Sequence, residues 1–210
     1  DVLSPVSAHS AAGDRAPDLV VWYGELLRRL RETPGVLSAS LSHKPPISNE
    51  EGYRFEFFTV EGRPADARWA TSAAGRIFVN VVSPGYFATV GTAFIPWRDF
   101  SVNDSEGRPD VAVINASMAA EYFGRENPVG QRLTMGEGAE SKSVEVIGVV
   151  RDSVYQRLQE QPRRIVYVPY MQTPRILKRH SFYAEVRTAD GNLMAAPLRA
   201  AIRNLDATVP

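Results

Sequence analysis

The sequence has 210 residues, with 24 Lys and Arg against 24 Asp and Glu, 44% hydrophobic residues, 10% aromatic residues and no Cys. The balanced charge argues against a nucleic-acid-binding module and against polybasic attraction to a membrane, because both need a positive surplus. The hydrophobic content is enough for a buried core. The absence of Cys excludes disulfide scaffolds, thiolate metal sites and Cys nucleophiles.

The first half of the chain alternates short strand patterns with two helical patterns. The first helix has apolar residues at Val20, Tyr23, Leu27 and Leu30, and Pro34-Gly35 stops it. Ser83 and Pro84 are typical of the N-cap and first position of a second, short helix that ends at Gly91. The predicted strands in this half are Val2–Ser7, Val36–Leu41, Tyr53–Val60 and Ile77–Val82.

The second half continues the same mixture of elements. Asn115 is typical of the cap of a helix that ends at Gly124, and a last helix is predicted over Leu193–Leu205. The predicted strands are Val111–Ile114, Leu133–Met135, Val144–Val150, Ile165–Tyr170 and Phe182–Thr188. Short intermixed strands and helices predict an α+β or mixed α/β fold, with two lobes as one arrangement.

The ends of the sequence predict a piece of a longer protein. The chain opens at Asp1 without an initiator Met, a basic region or an apolar leader. The longest hydrophobic stretches have the length of strands and fall short of the about 18 residues that a membrane-spanning helix requires. We therefore expect an excised or processed domain.

Residues that commonly carry catalysis or metal binding are sparse. The three histidines, His9, His43 and His180, fall in predicted loops without a metal-ligand spacing, so we interpret them as exposed loop residues. The segment Gly136-Glu137-Gly138 joins two strands and lacks the Lys and Ser or Thr of a phosphate-binding loop. No Gly-x-Ser-x-Gly motif is present, and Glu50-Glu51 is typical of a solvated charge pair. The sequence predicts no catalytic residue, no metal and no cofactor.

A basic stretch is the strongest candidate for a contact surface. One interpretation is docking to an acidic partner or to lipid headgroups, and the other is an ordinary solvated loop between strands. The members are Arg163, Arg164, Arg175, Lys178, Arg179 and His180.

An aromatic set in the first half allows a second interpretation of the site. These side chains line a ligand groove in one hypothesis and form core or inter-lobe packing in the other. They are Tyr53, Phe55, Phe57, Phe58, Trp69 and Phe78.

Three local patterns occur in a fixed order. The first runs from Val82-Ser83-Pro84-Gly85-Tyr86-Phe87 to Gly91 and then Arg98-Asp99-Phe100. The second runs from Val111 to Asn115, with Tyr122-Phe123 and Asn127-Pro128-Val129-Gly130 after it, and the third is Val146–Asp152. In order and spacing the sequence resembles the MacB-like periplasmic core domain of FtsX-like ABC-transporter permeases, and among them the duplicated permeases of Acidobacteria.

The motif residues have folding roles in their own right: they start and stop helices, permit turns and fill the core. They are Pro84, Tyr86, Phe87, Gly91, Arg98, Phe100, Asn115, Phe123, Pro128, Gly130 and Gly148. One departure from the family pattern is Pro96-Trp97 before Arg98, where the family commonly has a small residue. Trp97 is therefore a further candidate contact point.

The resemblance implies a two-lobed architecture and a place outside the inner membrane. Residues 1–90 and 178–210 would form a βαβ-containing lobe like the porter domains of efflux pumps, and residues 91–177 a mixed α/β lobe inserted into it. The chain would be a non-enzymatic periplasmic domain that transmits conformational change to a partner or substrate. Its implied partners are the membrane-embedded remainder of the protein, an ABC ATPase subunit and a periplasmic adaptor or lipoprotein, within a dimeric permease. An alternative is a periplasmic module that binds a small molecule or peptide in an aromatic groove between the lobes.

Overall fold

The structure of the protein is a computed structural model. The structure describes residues 2–6, 19–46, 53–55, 58–62, 77–136, 141–153, 163–177, 181–189, 198–200, 203 and 205. Within them four α-helices are assigned, α1 (Leu19–Glu32), α2 (Tyr86–Val90), α3 (Ala116–Phe123) and α4 (Pro174–Leu177). Residues 198–200 and 203 are also helical, where the last helix is predicted.

Eleven strands of the described chain form one mixed sheet. They are β1 (Val2–Val6), β2 (Val36–Ser42), β3 (Tyr53–Phe55), β4 (Phe58–Val60), β5 (Ile77–Val82), β6 (Phe94–Trp97), β7 (Val111–Asn115), β8 (Arg132–Met135), β9 (Lys142–Val150), β10 (Ile165–Pro169) and β11 (Phe182–Thr188). Their order is β1-β11-β2-β5-β10-β7-β9-β8-β4, with β3 also paired to β5 and β6 also paired to β9. The predicted mixed α/β fold is confirmed.

The predicted βαβ unit lies at one edge of this sheet. Strands β1 and β2 both pair antiparallel with β11, so they run parallel to each other with β11 between them. Helix α1 follows β1 and precedes β2 in the chain, and it buries Tyr23, Leu26, Leu27 and Leu30 against the sheet. Because these residues recur at helical spacing, one stripe of α1 supplies the apolar face that the unit needs.

Two apolar clusters cover the two faces of the sheet. In β7, Ala112 and Ile114 belong to the larger cluster, whereas Val111 and Val113 belong to the smaller one. Successive residues of a strand point to opposite faces, so the clusters lie on opposite sides of the sheet. The larger cluster, which we call the first-face core, contains the apolar residues of α1 and α3. The smaller one, the second-face core, contains the aromatic residues of α2.

The structure corrects several predicted elements. The single strand predicted over Tyr53–Val60 is two strands with different partners, since β3 pairs with β5 and β4 pairs with β8. Strand β6 is absent from the predictions, because Pro96 interrupts its pattern. A register shift between Ile95 and Trp97 accommodates this proline, as expected where a strand loses a donor.

The helix start predicted at Ser83-Pro84 is also wrong. Helix α2 begins at Tyr86, and the residue before it is Gly85 with φ of 85°. The Ser83 hydroxyl instead accepts a hydrogen bond from the Leu41 amide at 2.9 Å, so it extends the pairing with β2 rather than capping a helix. The positive φ of Gly85, which glycine adopts without strain, turns the chain from β5 into α2.

The sheet joins strands from both predicted lobes. Strand β5 lies in residues 1–90 and pairs in parallel with β10, which lies in residues 91–177. The proposed division into lobes 1–90 with 178–210 and 91–177 stays a prediction. No helix in the described part of the chain has the length and apolar character needed to cross a membrane.

Candidate functional site

The aromatic residues of the first motif meet those of two other segments on the second face. The Phe87 ring lies 4.9 Å from Tyr167, 5.0 Å from Phe94 and 6.2 Å from Phe100, measured between ring centroids. Tyr86 lies 6.1 Å from Tyr167. Tyr86, Phe87 and Tyr167 are at most 1% exposed, so this cluster is the centre of the second-face core. Edge-on ring contacts such as these stabilise the packing beyond burial alone.

The Arg98 side chain holds the loop that follows β6. Its guanidinium donates two hydrogen bonds to the Asp104 carboxylate, at 2.7 and 2.8 Å. Burial opposes ionisation of Asp104, but the bonds from Arg98 and Ser101 keep its pKa below the ordinary value. The bidentate geometry fixes the loop, although Arg98 itself is half exposed.

The neighbouring Asp99 connects this loop to the first motif. Its carboxylate accepts hydrogen bonds from the Gly85 amide at 3.1 Å and the Phe100 amide at 2.7 Å. Burial raises the pKa of Asp99 above its ordinary value. The carboxylate thus ties the turn before α2 to the segment that carries Phe100.

Gly148 of the third motif lets β6 and the Arg98 loop approach β9. A Cβ atom at this position would lie 3.0 Å from the Arg98 carbonyl oxygen and 3.2 Å from Cε1 of Phe94. Both distances are tighter than ordinary van der Waals contact, so a side chain here would push the two segments apart. The first and third motifs therefore meet in one packed region.

Asn115, at the junction of β7 and α3, is fully buried, and both polar atoms of its side chain form hydrogen bonds. Its side-chain oxygen accepts from the Met118 amide at 3.2 Å, which confirms the predicted helix cap, and from the Ile165 amide at 2.9 Å. Its side-chain nitrogen donates to the Arg163 carbonyl at 2.6 Å and to Asp152 at 2.5 Å. One side chain thus joins the ends of β7 and β9, the start of β10 and the first turn of α3.

Asp152, the last residue of the third motif, completes this junction. Its carboxylate accepts from the Ser117 amide at 3.0 Å and the Ser117 hydroxyl at 2.9 Å. A carboxylate near the first turn of a helix satisfies free amides and favours the helix dipole.

The remaining motif residues lie in turns or in the core. Gly91 ends α2 with φ of 77°, and the Pro84 carbonyl accepts a bond from Arg31. Phe123 is buried in the first-face core. The Pro128 carbonyl accepts from Gln131, and the amide of Gly130, whose φ is 83°, donates to Val146.

The basic stretch divides into a described part and a part outside the described residues. Arg164 forms an ion pair with Glu121 of α3 at 2.9 Å, and its side chain is only 13% exposed. The guanidinium of Arg163 lies 4.5 Å from the centre of the Phe78 ring. Both contacts hold the start of β10 in place. Lys178, Arg179 and His180, and the side chain of Arg175, lie outside what the structure describes.

The other predicted contact residues are only partly described. The backbone of Trp97 pairs with Gly148, while its side chain lies outside the described set. Nearby in the sequence, Ile95 and Val102 are exposed apolar residues. Of the aromatic set proposed for a groove, Phe78 is the one side chain that the structure describes, and it packs against the second-face core. The groove stays a prediction.

The interpretation of the histidines as exposed is wrong for His43. It is 7% exposed, and its Nδ1 lies 3.1 Å from the Ser181 carbonyl oxygen, which can only accept a hydrogen bond. His9 and His180 lie outside the described residues. Among the described side chains, no group of three or more His, Cys, Asp or Glu is arranged to hold a metal ion.

A buried acid is the feature that sequence reasoning missed. Glu185 of β11 is 4% exposed and accepts hydrogen bonds from the hydroxyls of Ser40, at 3.1 Å, and Ser42. Burial raises the pKa of Glu185 to about 8, despite these two bonds. The signal in the sequence is a single acid between Ala184 and Val186 in an otherwise apolar part of a strand.

Comparison with known proteins identifies a family and two similar structures. The family model of the MacB-like periplasmic core domain matches residues 16–205. The structure is similar to the periplasmic region of MacB from Actinobacillus actinomycetemcomitans, with a TM-score of 0.56 at 16% identity over 87% of this chain and 72% of that one. It is also similar to the extracellular domain of the noncanonic ABC-type transporter YknZ from Gram-positive bacteria, with a TM-score of 0.55 at 21% identity over 87% and 81% of the two chains.

None of the curated proteins matches the sequence. The two structural likenesses are at low identity and bear on the fold alone. The family match covers most of the chain. The chain therefore belongs to the MacB-like periplasmic core domain family and is the periplasmic domain of an ABC-transporter permease.

Proposed function

We propose that this domain transmits conformational change from the membrane-embedded part of its permease to a partner or substrate outside the membrane. The observation that carries the proposal is the continuous hydrogen-bonded sheet, which runs from β1 at one edge to β4 at the other. Shared strands and two packed cores let a displacement applied near β1 and α1 reach distant segments without local unfolding. The ATPase would act on the membrane-embedded part, so the domain itself needs no nucleotide site.

The proposal assigns no catalytic step to the domain. The ring of His43 is buried and held by a backbone carbonyl, which supports a packing role rather than proton transfer. Contact with an adaptor or lipoprotein would use the basic stretch and Trp97. Within it, the low exposure of Arg164 and its ion pair with Glu121 favour a structural role for that residue.

Distance measurements between spin labels test the transmission. Val21 of α1 is 67% exposed and Val102, in the loop after Phe100, is 76% exposed. Because the domain has no Cys, V21C and V102C introduce single labelling sites in a full-length permease freed of other cysteines. In the reconstituted dimeric permease with its ATPase, label-to-label distances across the dimer are measured without nucleotide and with ATP.

We expect both the Val21 pair and the Val102 pair to shift between the two nucleotide states. A permease with a hydrolysis-deficient ATPase, measured with ATP bound, is the control that separates nucleotide binding from hydrolysis. The proposal is contradicted if the Val21 distance changes and the Val102 distance does not, because the motion then fails to reach the loop after Phe100. It is also contradicted if neither distance changes.

A further inference from the structure

Helix α2 is bounded at each end by a glycine in the left-handed region. Gly85 precedes it with φ of 85°, and Gly91 ends it with φ of 77°. These two positions let the five-residue helix turn sharply away from the strands on either side. The helix is thus a short unit whose placement depends on what holds its ends.

Two arginines from other elements hold those ends. The Arg31 guanidinium, from α1, donates to the Pro84 carbonyl at 3.2 Å and to the Ala39 carbonyl of β2 at 2.9 Å. The Arg187 side chain, from β11, donates to the Thr89 carbonyl at 2.9 Å. Both bonds end on backbone oxygens, at the start and in the last turn of α2.

Gly91 leaves room for the guanidinium of Arg187, and Gly85 lies beside that of Arg31. A Cβ atom at Gly91 would lie 2.9 Å from Nη2 of Arg187, so a larger residue would displace that side chain. A Cβ at Gly85 would lie 3.7 Å from Nη2 of Arg31, in ordinary contact. Each end of α2 therefore combines a left-handed glycine with an arginine placed beside it.

Helix α2 contacts two different parts of the molecule, one through Arg31 and Arg187 and the other through its own aromatic residues. Arg31 and Arg187 come from α1 and β11, which build the edge of the sheet next to β1. Tyr86 and Phe87 insert into the second-face core with Phe100. Helix α2 also packs against β2 and β11. It therefore connects the βαβ edge to the aromatic cluster.

We propose that α2 is the coupling element of the domain, and that Arg31 and Arg187 are positioning residues that make α2 follow the βαβ edge. A displacement of α1 or β11 moves the two ends of α2 together, and Tyr86 and Phe87 carry it to the Arg98–Phe100 loop. The coupling role of α2 rests on the proposed function. The stabilisation of α2 by Arg31 and Arg187 can be measured whether or not the domain transmits conformational change.

Amide hydrogen exchange of the 210-residue chain tests the hold on α2. The variant R31Q/R187Q removes both guanidinium groups, and R28Q/R199Q removes two exposed arginines that do not contact α2 in the described residues. Losing both backbone contacts should speed exchange about tenfold in α2 and the Arg98–Phe100 loop. Exchange in α1 and at the β2–β11 pairing should stay within twofold of the wild type.

Two exchange outcomes would overturn the inference. If R31Q/R187Q exchanges its amides at the same rates as R28Q/R199Q, Arg31 and Arg187 do not hold α2. If exchange becomes faster by the same factor throughout the chain, the two arginines stabilise the whole fold rather than α2 in particular. A second variant, R31K/R187K, keeps the charge but not the forked donor and carries the test if the first fails to fold. Its α2 should exchange faster than in the wild type, and wild-type exchange would overturn the role of the guanidinium group.

The spin-labelled permease separates this inference from the proposed function. In R31Q/R187Q we expect the nucleotide-dependent shift at Val21 to persist and the shift at Val102 to be lost. A persistent shift at Val102 would overturn the coupling role of α2 while transmission stands. If the unmodified permease shows no shift at either site, the proposed function and the coupling role fail together, while the exchange experiment still decides the hold on α2.

Discussion

Glu185 is a polar residue set among apolar strand neighbours. Ala184 and Val186 belong to the first-face core, so Glu185 points to the second face, where Ser40 and Ser42 of β2 meet it. Arg187 lies two residues along the same strand, but its guanidinium is bonded to the Thr89 carbonyl. Burial is the largest cause of the raised pKa of Glu185, because it penalises the charged form.

The buried acid makes the stability of the domain depend on pH. The pKa of Glu185 is about 8 in the folded chain against 4.5 for an ordinary Glu, so between these values the folded chain holds a proton that the unfolded chain has released. Raising the pH therefore favours unfolding. We expect the free energy of unfolding, measured in urea, to fall by roughly 3 kcal/mol between pH 5 and pH 8.

The variant E185Q should remove this pH dependence, because an amide does not ionise. The exposed Glu106 provides the control, since E106Q should leave the wild-type slope in place. An E185Q protein with an undiminished slope would show that another group causes it.

At the scale of elements, β6 can pack closely on β9 because residue 148 of β9 is a glycine and has no side chain. The Cβ of an alanine at Gly148 would be 3.0 Å from the Arg98 carbonyl, which belongs to backbone and cannot rotate away. We expect G148A to destabilise the domain by about 1–3 kcal/mol, measured by urea unfolding.

A glycine in α1 supplies the matched control for this substitution. A Cβ at Gly24 would meet the nearest atom, the hydroxyl oxygen of Tyr170, at 3.7 Å, which is ordinary contact. In a helix, alanine is better than glycine by about 0.5–1 kcal/mol, so G24A should be stabilising. Equal effects of G148A and G24A would contradict the close approach of β6 to β9.

At the scale of the whole molecule, shared strands join the two cores. Strands such as β7 and β10 send alternate residues into the first-face and second-face cores, so neither core can lose its strands without disturbing the other. We expect a single cooperative unfolding transition. In a W69F/W97F background, the fluorescence of buried Trp22 in the first-face core should give the same midpoint as far-UV circular dichroism.

The variant G148A tests this cooperativity from the far side of the sheet. If the domain is one cooperative unit, G148A should lower both midpoints equally. A shift in circular dichroism that leaves the Trp22 transition in place would mean that the two proposed lobes unfold separately.

Helices α1 and α3 were the most predictable elements of the fold, whereas the start of α2, the short helix α4 and the borders of β3, β4 and β6 were not predicted. The apolar spacing in α1 and the cap at Asn115 are local signals, and the structure has both elements where the sequence places them. The border between β3 and β4 and the existence of β6 depend on pairing partners far away in the chain. Ser83 illustrates the same limit, since its hydroxyl is used by β2 rather than by the helix next to it.

The motif residues were recognisable in the sequence, but their joint role was not. The order of the motifs sufficed to predict the family, and the family match confirms it. Nothing in the sequence indicates that Asp99 bonds to Gly85, or that Gly148 makes room for the Arg98 backbone. These contacts join segments that come together only when the sheet forms.

The sequence by itself determined the composition-based exclusions, the mixed α/β class, the main helices and the family. These follow from local spacing, capping and motif order, which act over a few residues at a time. The tertiary structure alone decided that Glu185 is buried beside two serines, that His43 is buried, and that Arg31 and Arg187 donate hydrogen bonds to backbone carbonyls at the two ends of α2. The physical reason is that burial, a shifted pKa and a hydrogen bond to a distant carbonyl depend on which segments the folded sheet brings side by side.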